Sequence, residues 1–332
     1  MKNIIPFLLI CTIFICTNTF AQSPQYSQFY NAPLHLNPAF AGTADASRVV
    51  LNARSQWTVQ PSMLLNASVS YDLNLPNLNS GVGVLLGNDF FGGTELRNTS
   101  LDLIYAYGLR LNDEGLALRI APKVGFGNLA YNFGKYSFGD QYNNRGLIDG
   151  QGTGENLGGS SAYYTQFGAG LLLYSNTFWL GATADRVFAT DIVAPTGFNL
   201  QRLPMQISAH TGYRFYLDDD DDGLMLSPTA NFRMQSTFMQ ADLGVYAGFR
   251  GFTTGLWYRG IPVANFNKNG TTNHDALVVQ VGYVLENLGF GYSYDATISA
   301  LTLATGGSHE ISVRYLFGES DAGGGGLPCP KF

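Results

Sequence analysis

The chain has 332 residues, 13% charged, 14% aromatic and 45% hydrophobic, with 40 glycines and a formal net charge of −6. Charged residues at about half the usual quarter exclude the surface of an ordinary soluble protein of this size. The mild negative balance excludes a nucleic-acid binder, which needs a basic face.

Residues 1–21 read as a secretory signal: Lys2 supplies the positive start, Ile4 to Cys16 the apolar core, and Thr19-Phe20-Ala21 a small-x-small cleavage site. Cleavage after Ala21 would make Gln22 the first mature residue. Lipoprotein processing is disfavoured because Ile10 and Ile15, not small residues, precede Cys11 and Cys16. The apolar run is short for a retained membrane anchor. Loss of the signal leaves Cys329 alone, so no intramolecular disulfide is expected.

Residues 22–47 follow neither a helical nor a strand pattern. The aromatics Tyr26, Phe29, Tyr30 and Phe40 have no steady period, and Pro24, Pro33 and Pro38 forbid a continuous helix or ladder. Asn37 precedes a proline and is held out of the helical region, while Ala41-Gly42 offers a turn with positive φ. So apolar a segment with no regular partner must lie against something else. It reads as an irregular plug or latch enclosed by the rest of the chain, with Tyr26, Phe29, Tyr30, Asn37, Pro38, Phe40 and Gly42 as its contact residues.

From residue 48 the pattern has period two. In Gly115 to Phe126, Leu116, Leu118, Ile120, Val124 and Phe126 share one face, and Ala117, Arg119, Ala121, Lys123 and Gly125 the other. Leu101 to Arg110 and Met205 to Leu217 repeat it. About fourteen such runs occur, an even number as bacterial barrels require. They lie near 48–58, 62–73, 80–91, 94–111, 114–133, 162–174, 176–188, 203–218, 223–237, 238–249, 252–262, 273–285, 288–297 and 308–317. No later run of 18 apolar residues provides a transmembrane helix. The expected fold is all-β: a transmembrane outer-membrane β-barrel over 48–318, with the N-terminal plug/latch segment before it and a flexible tail, 319–332, after it. A soluble β-sandwich is the rival, but it would carry shorter strands and more surface charge.

Energy assigns the faces. An Arg or Lys facing lipid at mid-bilayer costs roughly 2–4 kcal/mol, so Arg119, Lys123, Arg214 and Arg233 must face the lumen beside Asp102 and Asp242. The same holds for Arg54, Arg259 and Arg314 against Asp72, Asp185 and Glu310. Small lumen residues such as Gly125, Gly168, Gly244 and Gly282 leave room for the N-terminal segment. Connections alternate between tight and long, with exceptions near 59–61, 92–93 and 237–238. Strand parity with a periplasmic N-terminus puts both termini in the periplasm.

Chemistry is sparse. Asp218 to Asp222 lacks the spaced ligands and distal Glu of a calcium loop and reads as a solvated hairpin turn. His35, His210, His274 and His309 have no metal-ligand spacing. Gly323 to Gly326 is followed by Leu-Pro rather than a helix, which argues for a spacer over a phosphate loop. No catalytic constellation emerges; the reading is of a non-enzyme without cofactor or metal.

Two stretches carry a family resemblance: QYSQFYNAP (25–33) followed by LNPAFAGT (36–43), and the ending Cys329-Pro330-Lys331-Phe332. The chain resembles the PorP/SprF family of type IX secretion outer-membrane proteins. That resemblance implies an accessory that assists export or surface attachment of a cognate large secreted protein, such as a gliding adhesin. Type IX secretion components, that surface protein and outer-membrane lipid are then the partners. The loop from Gly134 to Ser161 is the first candidate for docking, through Tyr136, Phe138, Tyr142 and Arg145. The alternative is a transporter or porin for small or hydrophobic solutes, since Asn37-Pro38-Ala39 is similar to a motif of the FadL-type transporters, whose barrels are plugged by their N-terminal segments.

Overall fold

The computed structural model describes residues 25–44, 46–59, 63–93, 95–113, 115–131, 136–154, 161–189, 192–193, 199–200, 204–217, 223–236, 238–261, 273–299 and 303–318. The signal, the aspartate run Asp218–Asp222, the 263–272 loop, the Gly323–Gly326 spacer and Cys329 with the rest of the tail lie outside the described residues.

Fourteen long strands form one antiparallel sheet. They are β1 (Ser47–Gln56), β2 (Leu64–Leu75), β3 (Ser80–Phe91), β4 (Leu96–Arg110), β5 (Ala117–Tyr131), β6 (Ser161–Tyr174) and β7 (Phe178–Ala189). There follow β8 (Gln206–Tyr213), β9 (Met225–Gln235), β10 (Phe238–Phe249), β11 (Phe252–Ile261), β12 (Asn273–Leu285), β13 (Leu288–Thr297) and β14 (Ser308–Phe317). β14 pairs back onto β1, from Ser47 opposite Phe317 to Gln56 opposite Ser308, so the sheet closes and leaves no edge.

Alternation along each strand does what the period-two pattern requires. In β5, Ala117, Arg119, Ala121 and Gly125 are buried while Ile120 and Phe126 are exposed. Leu256 and Ile311 are each 56% exposed on the outer face. Aliphatic side chains this bare belong against lipid, the solvent a membrane barrel is built for. At the end where β1 begins and β14 finishes, the turn end, the outer face carries aromatic pairs. Phe252 and Tyr283 have ring centroids 4.4 Å apart, and Tyr71 and Phe317 6.1 Å. Such rings form the girdle at a membrane interface.

Strand parity holds throughout, so the short connections at 92–95 and 236–237 fall at the opposite, loop end without disturbing the order. Arg250 (φ 48°) and Gly251 (φ 81°) make the tight turn before β11. Positive φ at both central residues matches the twist of the two strands. The predicted run 203–218 is interrupted at Arg214. Its N–H donates to the Thr177 carbonyl at 2.7 Å, in register with the β7 ladder, while on the β9 side the break falls beside Pro228, which has no N–H to give; pairing resumes at Phe215–Tyr216. Within the long 134–161 loop, Tyr142–Asn143 pairs with Gly146–Leu147 as a small hairpin.

Candidate functional site

The segment 25–44 runs along the inside of this sheet. Its local form follows from its prolines: a 3-10 turn at Phe29–Asn31, a one-turn helix at Pro33–Leu36 and a second 3-10 turn at Pro38–Phe40. Pro33 and Pro38 each occupy a first helical position, where the missing N–H has no partner to lose. Asn37 is extended, as the residue before proline must be, and its Oδ1 accepts from the Ala39 N–H at 2.9 Å. Gly42, at φ 69°, turns the chain toward β1.

Packing around the segment builds the main core of the molecule. Phe29, Tyr30, Leu34, Leu36, Ala39, Phe40 and Ala41 form one buried cluster with wall residues that include Ile104, Leu172, Tyr174, Trp179, Tyr246 and Trp257. Tyr26 is 4% exposed and Phe40 1%. Phe29 meets Trp257 edge-on at 5.1 Å, Tyr30 meets Trp179 at 5.6 Å, and Phe40 stacks on His210 at 5.5 Å. Trp179 Nε1 also donates to the Tyr30 hydroxyl at 2.8 Å, so the buried indole keeps its polar partner.

Polar ties fasten both ends and the middle. Toward the loop end, Gln240 Nε2 donates to Gln25 Oε1 at 2.8 Å. The Glu310 carboxylate accepts two successive backbone donors, Ser27 N–H at 2.6 Å and Gln28 N–H at 3.1 Å, and the Ser27 hydroxyl donates to Asp295 at 2.7 Å. In the middle, Asn37 Nδ2 donates to the Leu171 carbonyl at 2.9 Å and lies 3.1 Å from His210 Nε2. At the turn end, Gly42 N–H donates to Asp72 at 2.8 Å, and Arg48 binds both Asp72 oxygens (2.9 and 3.0 Å) and the Phe40 carbonyl (3.0 Å). Arg119 donates to the Ala39 and Ala41 carbonyls at 3.2 and 2.5 Å.

The predicted lumen charges are all turned inward. Lys123 pairs with Asp185 and with Asp102 at 3.6 Å. Arg259 bridges Asp242 at 3.1 Å and Asp295 at 2.8 Å, and Arg54 reaches Asp295 at 2.7 Å and Glu310 at 3.4 Å. Arg214 and Arg233 are buried on β8's continuation and β9. A charge removed from water needs such partners, because one left alone costs several kcal/mol.

One sequence reading is corrected in detail. Gly125, Gly168, Gly244 and Gly282 face inward, but the space they leave is taken by wall side chains: Asp102, Asp185, Trp257 and Thr253 respectively. Room for the segment comes from other glycines. A Cβ at Gly81 would stand 2.2 Å from the Ala41 carbonyl oxygen, one at Gly170 2.1 Å from Asn37 Oδ1, and one at Gly291 2.3 Å from Gln28 Oε1. The four loop residues named as docking candidates differ in exposure. Tyr136, Tyr142 and Arg145 are exposed, whereas Phe138 is half-buried above a turn closed by Gln141 Oε1, which accepts from the Phe138 N–H at 2.8 Å. Asp140 steadies this loop: it accepts from Gly154 N–H at 2.5 Å and the Thr153 hydroxyl at 2.9 Å, and these bonds, the backbone one foremost, hold its pKa below the usual carboxylate value.

Ser27, Gln28 and Arg48 were missed as site residues. Nothing in a polar dipeptide beside Tyr26 announces a carboxylate 283 positions away. Of the histidines, His274 and His309 sit against the Tyr258 and Tyr292 hydroxyls (2.6 and 2.8 Å), and His35 against the Tyr26 ring. Among the described residues no group of three His, Cys, Asp or Glu is placed to hold a metal ion.

A family model described as "Type IX secretion system membrane protein PorP/SprF" matches residues 18–315. No curated protein matches the sequence. Among solved structures, the chain is similar to the outer membrane protein Omp33 of Acinetobacter baumannii, at 10% identity over 82% of this chain and 98% of that one, with a TM-score of 0.42. It is also similar to the CymD monoaromatic hydrocarbon channel, at 10% identity over 86% and 93%, with a TM-score of 0.47.

Proposed function

The chain belongs to the PorP/SprF family of type IX secretion system membrane proteins, and from that membership we propose that it is an outer-membrane accessory that helps to export or retain one large secreted protein. The observation that carries this reading over a general pore is the occupied interior. Segment 25–44 is tied to β1, β2, β5, β6, β7, β10, β13 and β14 by hydrogen bonds from its own atoms. A lumen so crossed is a poor conduit, and in this reading the segment is a plug. The contact surface is then the outside of the loop end.

There the 136–154 loop presents Tyr136 and, on its small hairpin, Tyr142 and Arg145 to solvent, and Asp140 ties the loop together by accepting from Thr153 and Gly154. Exposed Tyr and Arg on a braced loop are the residue types that dominate binding energy at interfaces. The partners of this reading are other type IX secretion components and the secreted protein itself, a gliding adhesin being one candidate. It assigns no catalytic role to any residue.

Deletion of the protein tests it. One large surface protein should disappear from the cell exterior while other cargo of the same system still arrives. Replacing Tyr136, Phe138, Tyr142 and Arg145 together should weaken retention of that partner while the barrel still folds. If deletion leaves every surface protein in place and impairs uptake of a small solute, the transporter reading replaces this one.

A further inference from the structure

Closing the barrel sets the chain a problem of register. β1 and β14 come from opposite ends of the sequence, and they meet with Arg54 opposite Glu310 and Asn52 opposite Ser312. Alternation forbids a slip of one residue, which would turn every inner side chain toward lipid. A slip of two keeps the faces and escapes that rule. It would set Arg54 opposite Ser308 or Ser312, and the buried Glu310 opposite Asn52 or Gln56.

The interior segment touches both of the native inner pairs. At the first, the Ser27 and Gln28 N–H groups donate to the Glu310 carboxylate at 2.6 and 3.1 Å, and Arg54 donates to the Ser27 hydroxyl. At the second, the Ser312 hydroxyl donates to Gln28 Oε1 at 2.7 Å, and Asn52 Nδ2 donates to the Asn31 carbonyl at 3.1 Å. Asn31 Nδ2 donates to the same Gln28 oxygen at 2.9 Å, which joins the two sides of this pair. Gln28 Nε2 meanwhile donates to the Glu310 carbonyl at 3.0 Å. One carboxamide therefore reads positions 310 and 312 of β14 together. Gly291 of β13 leaves it room, since a Cβ there would stand 2.3 Å from Gln28 Oε1.

We propose that residues 27–31 are a register clamp that guides β1 onto β14 as the barrel closes. Only residues 32–46 separate the clamp from β1, so it travels with that strand and presents its donors to β14 as the ladder forms. Ser27, Gln28, Asn52, Arg54, Glu310 and Ser312 are all buried. A slipped pairing would strand several of their polar groups, and an unpaired buried group costs more than a made bond gains. A complete ladder holds itself, so the clamp acts at closure. The proposal concerns assembly and is independent of what the finished barrel does in secretion.

The test is refolding of the full chain from urea into detergent micelles, with Cys11→Ser, Cys16→Ser and Cys329→Ser removing the native thiols. Leu51→Cys with Val313→Cys reports the native register by disulfide formation, and Leu51→Cys with Tyr315→Cys reports a slip of two. Leu103→Cys with Val124→Cys, on β4 and β5, is the control. Gln28→Ala with Asn31→Ala should slow the native seam disulfide at least about tenfold, as loss of their bonds to β1 and β14 implies. The slipped disulfide should gain, and the control should not change. An unchanged rate at the seam would overturn the proposal, as would slowing without gain of the slipped product. Equal slowing of the control would also overturn it, because the segment would then aid packing in general. If the double variant gives no closed barrel, its Leu51–Val313 disulfide can be formed before refolding. The fast-running folded band should then return on unboiled gels, and its continued absence would sink the clamp.

Discussion

Truncating Phe40 to Ala separates the interior segment from the wall that holds it. Phe40 is 1% exposed, stacks on His210 at 5.5 Å and lies within the main buried cluster. Removing a phenyl ring from so enclosed a site costs about 3–5 kcal/mol when the surroundings cannot collapse. They cannot here, because the wall around it is a closed ladder whose strands are pinned on both sides. None of the ladder bonds involves Phe40, so the loss falls on docking of the segment and not on the barrel.

Detachment should then become more frequent by two to nearly four orders of magnitude, at 1.36 kcal/mol per factor of ten. Native-state hydrogen exchange at Ala39, Phe40 and Ala41 measures that opening, and single-channel recording in planar bilayers measures its consequence. Phe40→Ala should exchange faster at these amides and show conductance events absent from the parent protein. Tyr142→Ala, at a 53% exposed loop position, is the control and should do neither. Unchanged exchange and a silent bilayer for Phe40→Ala would refute the claim that this packing holds the segment.

Three further outcomes follow from the same contacts. Asp72→Asn strips the charge that Arg48 and Gly42 share; breaking a buried pair costs about 3–5 kcal/mol, so protease cleavage within 25–44 should accelerate while the heat-modified gel shift of the barrel persists. Gly170→Val should have a like effect, since its Cβ would sit 2.1 Å from Asn37 Oδ1 and overpacking costs about 1–3 kcal/mol; a crystal structure with the segment still in place would count against it. Asp140 has a depressed pKa because it accepts hydrogen bonds, so its hold on the loop is present above the ordinary Asp range and is lost as pH falls through the lower folded value; proton NMR of the Gly154 amide should show its exchange rising there.

The wall was legible in the sequence because its rule is local. Lipid on one side and an enclosed lumen on the other impose period two on every strand, and a misplaced Arg is heavily penalised. Arg119, Lys123, Asp102 and Asp242 could therefore be turned inward from the sequence. Their partners could not be named, because pairing depends on strand neighbours and stagger. Arg119, for instance, binds two carbonyls of the segment and no carboxylate. The same limit explains the glycines. Alternation says which glycines face inward, but only the path of the segment says that Gly81, Gly170 and Gly291, rather than Gly125 or Gly244, lie against it. The break at Arg214 was hidden because side-chain alternation continues across it and the missing donor, Pro228, lies on the neighbouring strand.

The interior segment differs in kind from a filler. An apolar plug could slide or turn in a smooth tube, since hydrophobic contact has no direction. This one supplies backbone donors to Glu310 and Asp72 and backbone acceptors to Arg119 and Arg48, all four of them charged groups of the wall. Buried ion networks are weak sources of stability but exacting about position, because each mismatch strands a charge. Glu310, Asp72, Arg119 and Arg48 therefore meet their backbone partners only with the segment in one register. Displacing the segment would break several charge-assisted bonds at both ends, whereas docking at the loop end, as proposed above, breaks none.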